Sequence, residues 1–384
     1  MIIMMSFFST IAILSSSTSF SFPIHRILLS SSSSSSLLVS SRLRMSSSTS
    51  FPAVVGVSGN KLIDIGANLM DERFTAGIYH GKQRHESDFD AILQRAVSVG
   101  LCRIILTAGT LSESREAIQF VRQWRTRQQE QSIGSETSTS SLQISNLQLH
   151  TTVGVHPTRC NEFLDNPESH IQALCDVIDD GMQDGIVVAV GEMGLDYDRL
   201  EFCNQETQHT YFQQQLQRLC SNRKLPLFLH NRNVGDDLYN LLVTNQDLWT
   251  QSGGVVHSFD DTWELAQKFL DLGLYLGING CSLKTNENLN VVRNIPLDRI
   301  LLETDCPYCD VRRTHASYSF IQTNVMDTAK PEKKFRMGYP VKGRNEPCTI
   351  IQIAEIVAGV KGIPLSDVVE ACYQNSLKLY GWES

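Results

Sequence analysis

From residue 61 onward the chain alternates between two hydrophobic patterns. Short runs rich in Val, Ile and Leu, such as RIILTAG, IVVAVGE and RILLETD, are separated by longer stretches with apolar residues three and four apart. Continuous apolar runs suit strands buried on both faces, as in a parallel sheet. The three-four spacing suits helices that lay one face on such a sheet. The runs predict strands at 62–67, 103–109, 149–155, 186–192, 225–230, 254–257, 275–279 and 300–305. Helices are predicted between them, for example at 88–99, 111–128, 205–222 and 262–272, with two closing helices at 349–360 and 365–380. Eight strands alternating with helices predict an α/β fold of the (β/α)8 TIM-barrel type. A doubly wound open sheet is the competing architecture.

Two segments break the alternation. Residues 126–146 are polar and low in complexity, and read as a mobile surface loop. Residues 310–343 carry scattered charge without a clear period. No stretch offers ~18 consecutive apolar residues, so no membrane-spanning helix is predicted. Nothing in the pattern implies a stable protein partner.

Composition matters most at the N-terminus. Twenty of the first fifty residues are Ser, and residues 1–60 hold Arg26, Arg42 and Arg44 but no acidic residue. This resembles a plastid or mitochondrial transit peptide. A secretory signal is the competing reading, but its apolar run at 11–14 is short and no basic residue precedes it. Met45 offers an internal start that would give a cytoplasmic or nuclear form. Residues 1–58 are therefore read as a targeting or disordered extension, and 59–384 as one barrel domain. Ten cysteines spread over 384 residues do not look like a secreted disulfide framework.

The net charge is −8, and residues 61–384, with 30 Lys and Arg against 41 Asp and Glu, carry −11. That excludes a passive polyanion binder, because Lys and Arg contacts to phosphate supply nucleic-acid affinity. If such a chain handles phosphates, a bound metal ion is the obvious source of local positive charge.

In a (β/α)8 barrel the chemistry sits at the C-terminal ends of the strands. Glu192, His230, His257 and Asp305 end the predicted fourth, fifth, sixth and eighth strands. His156 follows the third, and Asn68 the first. Taken singly, each has an ordinary explanation. A strand-end His is most often a satisfied hydrogen-bonding partner, and Asp305 alone reads equally well as a helix cap. Taken together they converge on one rim. Two His and two carboxylates suit a divalent cation. A carboxylate can also bridge two cations about 3.5–4 Å apart, the arrangement used in phosphodiester cleavage.

The motifs DIGANL (64–69), VGVHP (153–157), GEMGLDY (191–197), LPLFLHNR (225–232), VVHSF (255–259), LLETDCPY (301–308) and RNEP (344–347) occur in the order found in TatD-type metal-dependent deoxyribonucleases. The chain resembles that family over residues 62–380. The resemblance implies a barrel of the metal-dependent hydrolase type, with DNA as substrate and often 3′ to 5′ exonuclease action, here expected on single-stranded or frayed ends. It also implies one or two divalent cations per chain. By motif, Glu192 resembles the carboxylate bridging both metals, His230 and His257 the ligands of one, and Asp305 a ligand of the other. His156 would contact the scissile phosphate or position the attacking water, and Arg344 would contact phosphate, organise the rim or serve only in a structural salt bridge.

One departure stands out. Many relatives carry a His-x-His pair at the end of strand one, where this chain has Gly66 and Asn68. The first metal site is then oxygen-rich, drawing on Asp305, Glu192, water and either Asn68 or Asp64. Such ligands favour Mg²⁺ or Mn²⁺ over Zn²⁺ and weak, exchangeable binding. The same superfamily cleaves amide and ester bonds, so an aminoacyl-tRNA deacylase is the alternative activity. A non-enzymatic interaction protein is disfavoured, because all four expected ligands are present.

Cys306 and Cys309 have dithiol spacing, but follow the last strand and overlap Asp305, so the motif reads as a decoy. Tyr197, Phe259 and Tyr308 fall near the rim, where they either stack on bases or pack. His80, His85, His170, His209 and His315 read as surface residues.

Overall fold

The computed structural model describes residues 61–134, 144 and 146–383. The extension read at 1–58, including Met45, lies outside the described residues, as does most of the second half of the segment at 126–146.

Eight parallel strands follow one another around a single sheet in chain order. They are β1 (Leu62–Ala67), β2 (Leu101–Leu106), β3 (Gln148–Val153), β4 (Val187–Asp196), β5 (Leu227–Arg232), β6 (Gly254–Val256), β7 (Tyr275–Ile278) and β8 (Ile300–Leu302). Sequential order is the barrel's signature and excludes the doubly wound alternative. The seam between β8 and β1 closes just past the strand ends, where Asp305 N–H donates to Gly66 O and Asn68 N–H to Cys306 O, both at 2.8 Å.

Besides a single turn at Glu72–Thr75, the helices are α1 (Phe89–Ser98), α2 (Leu111–Gly134), α3 (Pro167–Gln183), α4 (Gln205–Leu219), α5 (Asp237–Thr244), α6 (Trp263–Asp271), α7 (Asn286–Asn294), α8 (Ile350–Lys361) and α9 (Leu365–Tyr380). Their starts are set by short polar side chains. Asn204 accepts from Thr207 N–H, Thr262 from Leu265 N–H, and Thr285 forms a capping box with Asn288. Each such cap stabilises its helix by about 1 kcal/mol.

The apolar residues divide into two shells. Ile63, Ile65, Ile105, Val188, Phe228, Val255 and Leu301 fill the barrel, and Tyr373, Leu377 and Tyr380 of α9 pack with them. Because Val188, Val255 and Leu301 lie near the starts of their strands, α9 covers the N-terminal mouth and leaves the opposite mouth for chemistry. A larger shell between strands and helices includes Ile104, Val153, Leu229, Phe212, Phe269 and Ile353.

Three expectations need correction. The segment from 126 is not loop from its start, since α2 continues to Gly134. Its Gln, Arg and Glu residues are good helix formers, and Arg122 ties the helix to α3 through Asp180 (2.9 Å) and Asp184 (2.7 Å). Next, β4 runs four residues past Glu192, because Met193 to Asp196 go on pairing with β5. Lastly, β8 ends at Leu302, so Asp305 stands beyond the strand. The aperiodic 310–343 segment forms short turns and one bridge between Lys330 and Val341. It is anchored on α8 by Glu355, which accepts from Gln322 N–H (2.8 Å) and Thr323 N–H (3.0 Å).

Candidate metal centre

Glu192 occupies a bulge. The register between β4 and β5 slips between Val190 and Met193, and an extra residue there re-aims the side chain. Gly191 makes this possible. Its φ is +146°, and a Cβ would stand 2.2 Å from Phe228 O.

Three imidazoles surround the Glu192 carboxylate. Oε1 lies 2.8 Å from His230 Nδ1, 2.8 Å from His257 Nε2 and 3.4 Å from His156 Nε2. His230 Nδ1 and His257 Nε2 are 3.3 Å apart. Ligand atoms of Glu192, His230 and His257 all lie within 4.8 Å of one another. A second such group joins His156, His230 and Asp196, whose Oδ2 is 3.2 Å from His230 Nε2.

Asp305 lines the same pocket but belongs to neither group among the described residues. Its φ of +50° is a left-handed conformation that Asp tolerates better than most residues. Asn68 donates to its Oδ1 at 2.8 Å, and the Cys309 thiol lies 3.1 Å from its Oδ2. Thr107 in turn donates to Asn68 Oδ1 at 2.8 Å, which fixes the amide so that it must donate to Asp305.

The electrostatics follow from crowding. Burial alone would raise Glu192, but His257, His156 and His230 override it and hold the carboxylate well below its ordinary range. Burial opposes a charge on His257, yet Glu192 and Glu303 push it well above its usual value. At His156 burial outweighs the pull of Glu192 and Asp196 and takes the ring down to about 3. Burial lifts Asp305 to about 6, with Glu303 and Glu192 adding to the rise against His257.

His156 also begins the turn after β3. Its Nδ1 accepts from Thr158 N–H at 3.2 Å. A neutral ring that accepts at Nδ1 carries its proton on Nε2, which faces Glu192.

Two carboxylates escaped the sequence reading. Asp196 backs His230. Glu303, fully buried, stands 3.6 Å from His257 Nδ1 and accepts from Ser258 N–H and Asn279 Nδ2. His257 Nδ1 and Glu303 Oε2 are buried without another hydrogen-bond partner. Both residues carried a signal, because 192 and 196, like 303 and 305, are spaced to share one face of an extended chain.

Other expected residues stand elsewhere. Asp64 is fully buried, and its oxygens accept from Gly66 N–H (3.2 Å), Thr304 N–H (3.0 Å) and the Thr304 hydroxyl (2.5 Å). It braces the chain below Asp305 rather than joining the cluster. Arg344 cannot reach a phosphate. Its side chain is 0% exposed and holds Asp88 through both Nη atoms (2.8 and 2.7 Å) and Glu346 at 2.9 Å. His85 is not a surface residue. It is buried, with its ring stacked on Phe335 at 4.0 Å. His170, His209 and His315 are half-buried, and only His80 is exposed. Phe259 is core at 2% exposure, and Tyr197 is held by His209 and Asp237. Tyr308 remains half-exposed, with the Arg73 guanidinium 4.5 Å from its ring centroid.

The pocket has a volume of about 500 Å³. Beside the cluster it is lined by Arg159, Arg199, Arg232, Cys281 and Cys309.

Does this donor set fit a divalent cation? One carboxylate oxygen and two imidazole nitrogens facing one another, with Glu303 behind one ring, match a metal site whose outer ring nitrogen donates to a carboxylate. A parallel barrel with such a cluster at its C-terminal mouth defines a metal-dependent hydrolase. The sequence matches the family described as TatD related DNase over residues 63–381. It is 39% identical over 326 residues to Deoxyribonuclease Tat-D of Schizosaccharomyces pombe, spanning 84% of this chain and 96% of that protein. It is 30% identical over 306 residues to the 3'-5' ssDNA/RNA exonuclease TatD of Cronobacter sakazakii, spanning 78% and 90%. A TatD family hydrolase of Entamoeba histolytica has a crystal structure that superposes with a TM-score of 0.73 at 37% identity, covering 84% of this chain and 98% of that one. This chain belongs to the TatD-related DNase family.

Proposed function

We propose that this chain hydrolyses DNA phosphodiester bonds, working from 3′ ends of single-stranded or frayed DNA. Glu192, His230, His257 and Asp305 would hold one or two divalent cations, with Mg²⁺ or Mn²⁺ preferred where Asp305 supplies oxygen ligands and the Asn68 amide, its oxygen taken by Thr107, only orients it. The observation that carries this is the convergence of three imidazoles on the Glu192 carboxylate in a pocket edged by three arginines. The nuclease names of the relatives point the same way.

When bound, the cation polarises the phosphodiester and lowers the pKa of water. The side chains do the rest. Glu303 and Asp196 hold the rings of His257 and His230 in place. Asn68 keeps Asp305 turned toward the pocket. The Nε2–H of His156 hydrogen-bonds a phosphate oxygen or holds the attacking water. Arg159, Arg199 and Arg232 neutralise neighbouring phosphates, which reconciles an acidic chain with a polyanionic substrate. Tyr308 offers a face on which an unpaired terminal base can stack.

The test is cleavage of end-labelled single- and double-stranded DNA with Mg²⁺, Mn²⁺, Zn²⁺ or EDTA. Shortening from the 3′ end should need a divalent cation and vanish in Glu192→Ala with an unchanged circular dichroism spectrum. Full activity of that variant would refute the assignment. No feature of the pocket favours aminoacyl-tRNA over DNA.

A further inference from the structure

The CPYC motif does hold a thiol beside another thiol, but that neighbour lies elsewhere in the chain. Cys306 is fully buried, whereas the Sγ of Cys309 lies 2.8 Å from the Sγ of Cys281, in the loop after β7. The two loops can approach this closely because residue 280 is Gly. A Cβ there would stand 1.9 Å from the carbonyl oxygen of Cys309. Both cysteines line the catalytic pocket and are half-buried. Seven of the other eight cysteines are buried, and Cys102 is half-buried and donates to Leu62 O at 3.2 Å.

We propose that Cys281 and Cys309 form an oxidation site whose state is felt by Asp305. Two S–H bonds break and one S–S bond forms, with the sulfurs closing from 2.8 Å to about 2.05 Å. The two electrons and two protons pass to a peroxide, giving two waters, or to a small-molecule disulfide, giving two thiols. A dithiol reductant reverses the step. In the reduced pair Cys309 can donate its S–H to Asp305 Oδ2 at 3.1 Å. The disulfide has no hydrogen to give, so Asp305 keeps only the Asn68 bond at Oδ1 and its carboxylate loses one of two restraints. The effect on cleavage rests on reading Asp305 as a metal-binding catalytic residue, but the cross-link itself does not.

The experiment treats the purified full-length chain with hydrogen peroxide, alkylates the remaining thiols and maps peptides without reduction by mass spectrometry. A Cys281–Cys309 linkage should appear and disappear with dithiothreitol. Absence of that linkage, or its replacement by Cys306–Cys309, overturns the proposal. In parallel, Mg²⁺-dependent cleavage by the wild type should lose most of its rate on oxidation and regain it on reduction. Cys281→Ser should keep its rate throughout. A linkage formed with no change in rate overturns the coupling to Asp305. Cys281→Ala, checked by circular dichroism, serves if the serine variant folds poorly. A reduced wild type that cleaves no DNA would count against the nuclease reading, while the peptide map would still decide the dithiol.

Discussion

The two ring nitrogens of His257 are held between two carboxylates, Glu192 at 2.8 Å from Nε2 and Glu303 at 3.6 Å from Nδ1. Such an outer carboxylate fixes the tautomer and orientation of a ligating ring, and its loss typically costs ~10–100-fold in metal affinity or activity. Glu303→Gln should therefore raise the metal concentration for half-maximal DNA cleavage by about that factor. An unchanged metal titration would remove Glu303 from the site.

Stability should depend on pH through Asp64. Burial, ahead of the opposing bonds from Thr304 and Gly66, lifts this carboxyl from 3.8 to about 8. The folded state thus binds its proton more tightly than the unfolded chain does. The resulting stabilisation is complete below the unfolded value and is lost as pH rises through about 8. The check is the melting temperature of metal-free wild type against Asp64→Asn from about pH 5 to about pH 9. The wild type should lose ground to the variant as pH rises. Parallel curves would contradict the argument.

Arg344 should matter for folding and not for DNA. It shares a buried network with Asp88, Glu346 and Arg95. Removing one partner of a buried ion pair costs about 3–5 kcal/mol, because the other charge stays buried. Arg344→Ala should lower the urea midpoint accordingly. The salt dependence of DNA binding by the folded fraction should stay as it was.

Arg232 should show the opposite behaviour. Each phosphate neutralised on a single strand contributes about 0.7 to the slope of log affinity against log salt. Arg232→Gln should reduce that slope by about this amount in binding measured with EDTA, and leave the melting temperature nearly unchanged. A slope equal to the wild type would place the phosphates elsewhere.

The strand ends were legible because barrel geometry needs only period and order. Glu192, His230, His257 and His156 could be read as meeting at one mouth because apolar runs terminate at or just before them. Asp196 and Glu303 were missed for one reason. A polar residue inside or just past an apolar run was taken as an edge, while β4 continues through a bulge to Asp196 and Glu303 is buried behind a histidine. Arg344 was read from the RNEP motif alone, which left rim, phosphate and salt-bridge roles open, because its partner Asp88 comes from the start of α1. Pairing across 256 positions leaves no local trace. The same holds for Cys309, whose short-range neighbour Cys306 suggested a motif and whose nearest thiol is 28 residues upstream.

The seam that closes the barrel joins Asp305 to Gly66 and Asn68 to Cys306. The residues that complete the rim therefore come from the segments just after the first and last strands. A ribosome that has released only seven strands holds a protein with Glu192, His230 and His257 already made, but with no Asp305 and no β8 to lock Asn68 in place. On the role proposed for Asp305, nuclease competence arrives only once the segment after β8 has been made.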